Sequence, residues 1–208
     1  IKYFQEYLAT GEQKHRYNVM KYMAVSCINV KDYEQAKRVL SDAVALNSSD
    51  YDLLTLAVNV CIETEDNRQL QKYVSKALNL KPNDQNLMNL QGKLSEESGN
   101  YAEALKIYKS LFSKNPTSLT YAKHIALNNY NLGVLFTNKA SLENDRRIAS
   151  QYDNQALLYF ETAIPVIKDV LSAEPAALQY HQALAVAYQM TGREKDFDAE
   201  NQKISNLG

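Results

Sequence analysis

Tryptophan is absent, and proline and glycine are scarce, at 4 and 6 residues in a chain of 208. An all-β sandwich or barrel needs many tight turns and draws on both, so that class is disfavoured. Two cysteines cannot supply a disulfide framework. Neither sign of charge is in excess, with 23 Lys and Arg against 24 Asp and Glu. Nucleic-acid binding needs a cationic face, so no nucleic-acid partner is expected. Apolar runs such as Ala183 to Tyr188 fall far short of the roughly 20 residues of a spanning helix, so no membrane span is expected. The glycines are scattered and form neither GxGxxG nor a Walker-type phosphate loop. His15, His124 and His181 lie far apart, without the spacing of a metal site. No catalytic, cofactor-binding or metal residue is therefore expected, and the histidines read as surface or packing residues.

Hydrophobic content of 45% is enough to build a core. The informative feature is a spacing. Ser48, Pro82 and Pro116 are 34 apart. Ala43, Ala77 and Leu111 repeat the interval, as do Leu40, Val74 and Tyr108, and Ala36, Leu70 and Ala104. Such a period marks a repeat architecture in which each unit buries its apolar face only against its neighbours.

Each period reads as two helices. Met20, Met23, Ala24 and Cys27 lie on one helical face, and Leu54, Ala57, Val58 and Cys61 repeat that pattern one period later. After a short turn, Tyr33, Ala36, Leu40 and Ala43 mark a second helix. Gly99-Asn100 predicts a left-handed turn between helices. Paired helices approach closely only where contact side chains are short. Ala24 and Gly92 supply those points on first helices (helix A), and Ala36, Ala43, Ala77 and Ala104 on second helices (helix B).

The stretch Gly92 to Pro116, with Gly-Asn-Tyr-Ala-Glu-Ala at 99–104, resembles a tetratricopeptide repeat. The resemblance implies an all-α, right-handed α-solenoid of stacked antiparallel helix pairs. Phasing on it places repeats at 17–50, 51–84 and 85–118. A last repeat at 178–208 carries Ala185, Tyr188, Gly192 and Phe197 in matching places. Residues 1–16 fit the end of a truncated repeat, with Ala9 at the place of Ala43. Val58, Leu70 and Ser48 depart from the family pattern. Chain 1–208 is thus expected to be one array.

Between Pro116 and Pro175 the period is stretched, so 119–177 is expected to form an extended repeat with a projecting hairpin. Asn131 to Phe136 reads as a helix A core. Ala156, Tyr159, Phe160, Ala163, Ile164, Ile167 and Leu171 read as a long helix B, with Pro165 expected to kink it. Ser141 to Gln151 reads as a solvated tip. The insert is similar to those of tetratricopeptide proteins of Bacteroidetes-type bacteria, many of them exported, so the resemblance implies an extracytoplasmic location, while two unpaired cysteines lean toward a cytoplasmic one and leave that alternative open. The chain opens without Met inside an amphipathic pattern, as a piece of a longer polypeptide does.

Cys27 and Cys61 occupy the same repeat position on neighbouring helices. Helices packed about 10 Å apart put them beyond disulfide reach, so two buried free thiols are expected. Ser95-Glu96-Glu97 and Glu63, Glu65 and Asp66 read as solvated acids. Asn47-Ser48-Ser49 matches a glycosylation sequon, in a linker between helix pairs.

Exposed positions on the first helices remain. In the stacked architecture they line a concave groove: Asn18, Lys21, Tyr22 and Asn29, then Asp52 and Asn59, then Asn86, Asn89 and Lys93. In the last repeat they are Gln179, Gln182 and Gln189. Amides pair with donors and acceptors of an extended peptide backbone, although the same residues also suit a plain solvated face. Lys21 has Val25 four residues on, so a lysine–asparagine carboxylate clamp is not expected. Outer positions such as Lys37, Arg38, Lys76 and Lys106 read as solvating residues. The expected function is a non-catalytic scaffold for a protein or peptide partner. The alternatives are a docking arm of a larger enzyme, or self-assembly through terminal repeats.

Overall fold

The computed structural model describes residues 1–12 and 14–207. Among them are eleven α-helices and no strand: α1 (Lys2–Ala9), α2 (Arg16–Asn29), α3 (Tyr33–Leu46), α4 (Tyr51–Glu63), α5 (Asn67–Leu80), α6 (Gln85–Glu97), α7 (Tyr101–Lys114), α8 (Leu119–Leu142), α9 (Arg146–Ala173), α10 (Leu178–Met190) and α11 (Glu194–Leu207). They divide into two compact units, Ile1–Leu94 and Ser95–Gly208. No helix among the described residues is long and apolar enough to cross a membrane.

In the first unit α2 packs on α3, α3 on α4, and α4 on α5. The expected stripes form its core: Met20, Met23, Ala24 and Cys27 from α2, and Leu54, Ala57, Val58 and Cys61 from α4. Ala24, Ala36, Ala43 and Ala77 have no exposed surface, so the helices do meet at these short side chains. Phe4 and Leu8 of α1, with Ile1 just before it, pack against the same core. Cys27 and Cys61 are buried free thiols. Burial holds the Cys61 thiol up at about 11, and it raises Cys27 as well, which disfavours the thiolate in both.

The turns of the pairs α2–α3, α4–α5 and α6–α7 repeat one geometry. Lys31, Glu65 and Gly99 lie 34 apart, and all are left-handed, with φ of 59°, 52° and 73°. The next residue closes the preceding helix: Asp32 N–H donates to Cys27 O at 2.9 Å, Asp66 to Cys61 O at 3.0 Å, and Asn100 to Ser95 O at 2.8 Å. Gly99 was expected in this conformation. Lys31 and Glu65 were not, because a side chain disfavours it. The closures from Asp32 and Asp66 hold them there.

The second unit contains the stretched repeat. Its helices α8 and α9 run to 24 and 28 residues, against 13 or 14 in the ordinary pairs. Helix α9 continues through Pro165. The expected tip, 141–151, is mostly helical: only Glu143 to Asp145 link the helices, because the Asp145 carboxylate caps α9 immediately. Phe160, Ile164, Ile167 and Val170 of α9 join Tyr180 and Leu184 of α10 in the core. Farther along the hairpin, Phe136 stacks on Tyr159 with centroids 5.6 Å apart. Gly133 lets α8 and α9 approach. A Cβ there would stand 2.7 Å from the buried Phe160 ring.

Two outcomes follow from this geometry. Gly133→Ala is expected to destabilise by about 1–3 kcal/mol through overpacking, and the double change with Phe160→Leu to destabilise less than the two single changes summed. Glu65→Gly is expected to stabilise by about 0.5–1 kcal/mol, since relief of the left-handed strain exceeds the added chain entropy. Urea denaturation of the four variants checks both.

Candidate partner-binding surface

Every helix N-terminus leaves backbone N–H groups without helical partners. In this chain two series of polar residues, each 34 apart, supply them. Asp32, Asp66 and Asn100 cap the second helices α3, α5 and α7. Asp50, Asp84 and Ser118 cap the first helices α4, α6 and α8. Both series stand in the sequence at the 34-residue interval, although their capping role is visible only in the structure.

Asp50 and Asp84 do a second job. Asp50 Oδ1 accepts from Leu53 N–H at 2.9 Å, while Oδ2 accepts from the Tyr17 hydroxyl and from Lys21 Nζ at 2.8 Å. Asp84 repeats the arrangement with Leu87 N–H and the Tyr51 hydroxyl. Lys81 Nζ sits 3.6 Å from the Tyr51 ring centroid. Each carboxylate thereby ties the start of one first helix to the start of the next. Partial burial works against ionisation of Asp50, but the bonds from Lys21, Tyr17 and Leu53 outweigh it and hold the group at about 2. Burial and the adjacent Asp50 carboxylate push Tyr17 up to about 12. The bond to Asp84, then burial, do the same for Tyr51.

This network decides which expected groove residues are free. Lys21 is half-buried and committed to Asp50, with Asp52 4.0 Å away. Asn18, Tyr22, Asn29, Asp52, Asn59, Asn86 and Lys93 are exposed. Asn89 is half-buried, and its Oδ1 is shut away from solvent without a hydrogen bond. Those nine belong to the first unit. Gln179, Gln182 and Gln189 are exposed on α10 of the second unit. Asn59 lines a cleft of about 240 Å3 with Ile28, Tyr33 and Ile62. Two apolar residues strengthen this side of α2: Tyr22 is 64% exposed and Val25 36%. The outer face needs one correction. Lys37 is not a free solvating residue, because it is ion-paired with the cap residue Asp66.

The second unit holds buried polar groups instead. Glu96, read as solvated, accepts from Asn128 Nδ2 and contacts His124 Nδ1 at 2.9 Å. The His124 ring stacks on Tyr108 at 4.1 Å. Burial, and then the charge of Glu96, raise the Tyr108 phenol. Ser95, in the same acid run, is also buried. His181 is buried between the Glu200 carboxylate and Pro175 O, the latter at 2.8 Å, and Lys203 Nζ holds the other Glu200 oxygen at 3.0 Å. Both networks lie on helix–helix contacts, and Asn128 Oδ1 is left without a hydrogen bond in the first. No group of three or more metal-ligating side chains occurs among the described residues.

The Tyr17–Asp50 bond has a signed pH dependence. Because Asp50 is depressed from 3.8 to about 2, its contribution is complete above the ordinary carboxylate range and is lost as pH falls from about 4 to 2. Because Tyr17 is raised from 10.0 to about 12, its contribution is complete below pH 10 and is lost as pH rises toward 12. Tyr17→Phe is expected to cost about 1–2 kcal/mol at neutral pH and to flatten both limbs of the stability profile. Thermal melts of the variant and the parent from pH 2 to 11 measure it.

No protein-family profile matches the chain, and no curated protein sequence is similar to it. Solved structures are. MamA AMB-1 aligns with a TM-score of 0.63 at 17% identity, over 93% of this chain and 99% of that one. MamA MSR-1 gives 0.62 at 15%, over 93% and 97%. MamA from Desulfovibrio magneticus RS-1 gives 0.52 at 14%, over 94% and 95%. These neighbours are tetratricopeptide-like helical-repeat proteins, and the present chain is an all-α tetratricopeptide-like repeat protein with the same fold.

Proposed function

We propose that the first unit is a non-catalytic protein-interaction module that holds an extended peptide against the exposed positions of α2, α4 and α6. The observation that carries this reading is the character of α2. One side buries Met20, Met23, Ala24 and Cys27, yet the opposite side still exposes Tyr22 and Val25. Exposed apolar surface beside polar groups marks contact sites. Tyr22 supplies a large area at low entropy cost, and Asn18, Asn29, Asn59 and Asn86 supply adaptable amide pairing. Repeat folds of this kind are protein-interaction scaffolds, in which several weak contacts from successive units act on one ligand. The caps at Asp50 and Asp84 support the reading physically, because they hold successive first helices in register before any ligand arrives. Preorganisation of that kind lowers the ordering cost of binding.

Tyr22→Ala combined with Asn59→Ala is expected to weaken capture of the partner peptide by about tenfold to a hundredfold, with melting unchanged within a degree or two. Arg68→Ala with Lys72→Ala, exposed on α5, is the control and is expected to leave binding unaltered. Selection from a random peptide library on the parent chain, followed by titration of the four-residue set, gives the measurement. Loss of binding in the α5 pair with retention in the α2 and α4 pair would place the partner on the outer face instead.

A further inference from the structure

The second unit has a pocket that the exposed amides do not touch. Helices α7 and α9 both pack on α8. Between them, over the first turns of α8, lies a cavity of about 470 Å3. Phe112 from α7, Ala122 and Ile125 from α8, and Val166 from α9 make its walls. Lys109 of α7 and Asp169 of α9 line the same cavity, both exposed. Neither has an ion-pair partner among the described residues.

The chemistry of the lining narrows the occupant. A volume of this size lies within the range of binding pockets of about 300–1,000 Å3. Releasing water from apolar walls lowers the free energy, so the interior favours an apolar group. The two unpaired charges have opposite signs and stand on different helices. A simple fatty acid or sulfonate would satisfy Lys109 but meet repulsion from Asp169, and an apolar amine would do the reverse. A peptide segment satisfies both at once, because its backbone spaces an acidic and a basic side chain on either side of an apolar one. We propose that this pocket takes an apolar anchor residue of a partner peptide, with an acidic side chain toward Lys109 and a basic side chain toward Asp169. The site is separate from the surface of the first unit and does not rest on it.

The test uses the whole chain and fluorescein-labelled, C-terminally amidated peptides of sequence Gly-Glu-Ala-Phe-Leu-Ala-Lys-Gly, in this charge order and the reversed one, with Gln replacing both charges as the neutral form. Fluorescence anisotropy is expected to show saturable binding of at least one charged order, about tenfold tighter than the neutral peptide, as two partly exposed charge contacts would give. Ala122→Phe fills the cavity and is expected to abolish binding. Because that side chain is half-buried, Val166→Phe and melting of both variants separate filling from unfolding. Lys109→Glu with Asp169→Lys is expected to reverse the preferred charge order. Tyr22→Ala with Asn59→Ala is expected to leave this binding intact. Absence of saturable binding by every peptide overturns the proposal. So does binding that survives both filled, folded variants, or a charge preference that the double reversal leaves unchanged.

Discussion

One carboxylate with two tasks sets the geometry of the first unit. Asp50 uses one oxygen to cap α4 and the other to receive Tyr17 and Lys21 from the start of α2. Asp84 does the same for α6 and Tyr51. A cap alone satisfies backbone donors that any helix leaves open. Sharing that cap with the previous repeat turns a local requirement into a long-range tether. The alanine contacts beneath it then need only fill space at the distance the tether allows.

In the second unit the device changes because the residue changes. Ser118 stands where Asp50 and Asp84 stand, and a hydroxyl lacks the second acceptor oxygen and the charge. Cross-links there fall to other groups. Glu96 joins α6 to α8 through His124 and Asn128, Lys123 reaches Glu174 at 2.6 Å, and Arg193 pairs with Glu161. The long α8–α9 hairpin adds its own apolar seam, closed by Gly133 beneath Phe160. Fixed helices around that seam leave the cleft over the start of α8 unfilled by the chain itself.

On the proposed reading, rigidity and recognition are separated along the sequence. Cap carboxylates, buried alanines and left-handed turns hold the helices, whereas the residues that face outward carry little of that duty. Tyr22, Asn18 and Asn59 are exposed and stand outside the caps and turns described above. Lys21 and Lys37 show the opposite case: both lie where a ligand-facing or solvating role was expected, and both are engaged in holding a cap. Charged side chains beside an N-cap are drawn into it because the partly buried carboxylate needs a counter-charge.

The 34-residue interval and the apolar stripes made the helix pairs legible, since a period of 3.6 and short contact residues follow from helix geometry alone. The buried set of α2 to α5 was readable for that reason, as was the left-handed turn at Gly99. Lys31 and Glu65 were not readable, because the backbone closures that hold them override their own preference. Helix extent within 141–151 was hidden as well, because charge and Asn content says nothing about the Asp145 cap until the chain folds back. Glu96 and His124 were hidden for a related reason: residues 28 apart become partners only when α8 lies against the end of α6. The exposed amides and Tyr22 were legible as a face, but their freedom was not. Whether a polar side chain is left for a ligand depends on which neighbours consume it, and those neighbours come from the next repeat. Sequence by itself determined the period, the helices and their buried sides, because these depend on near neighbours. Tertiary structure alone decided which charges are spent on caps, which turns are held left-handed and where a pocket stays open, because each depends on contacts between helices distant along the chain.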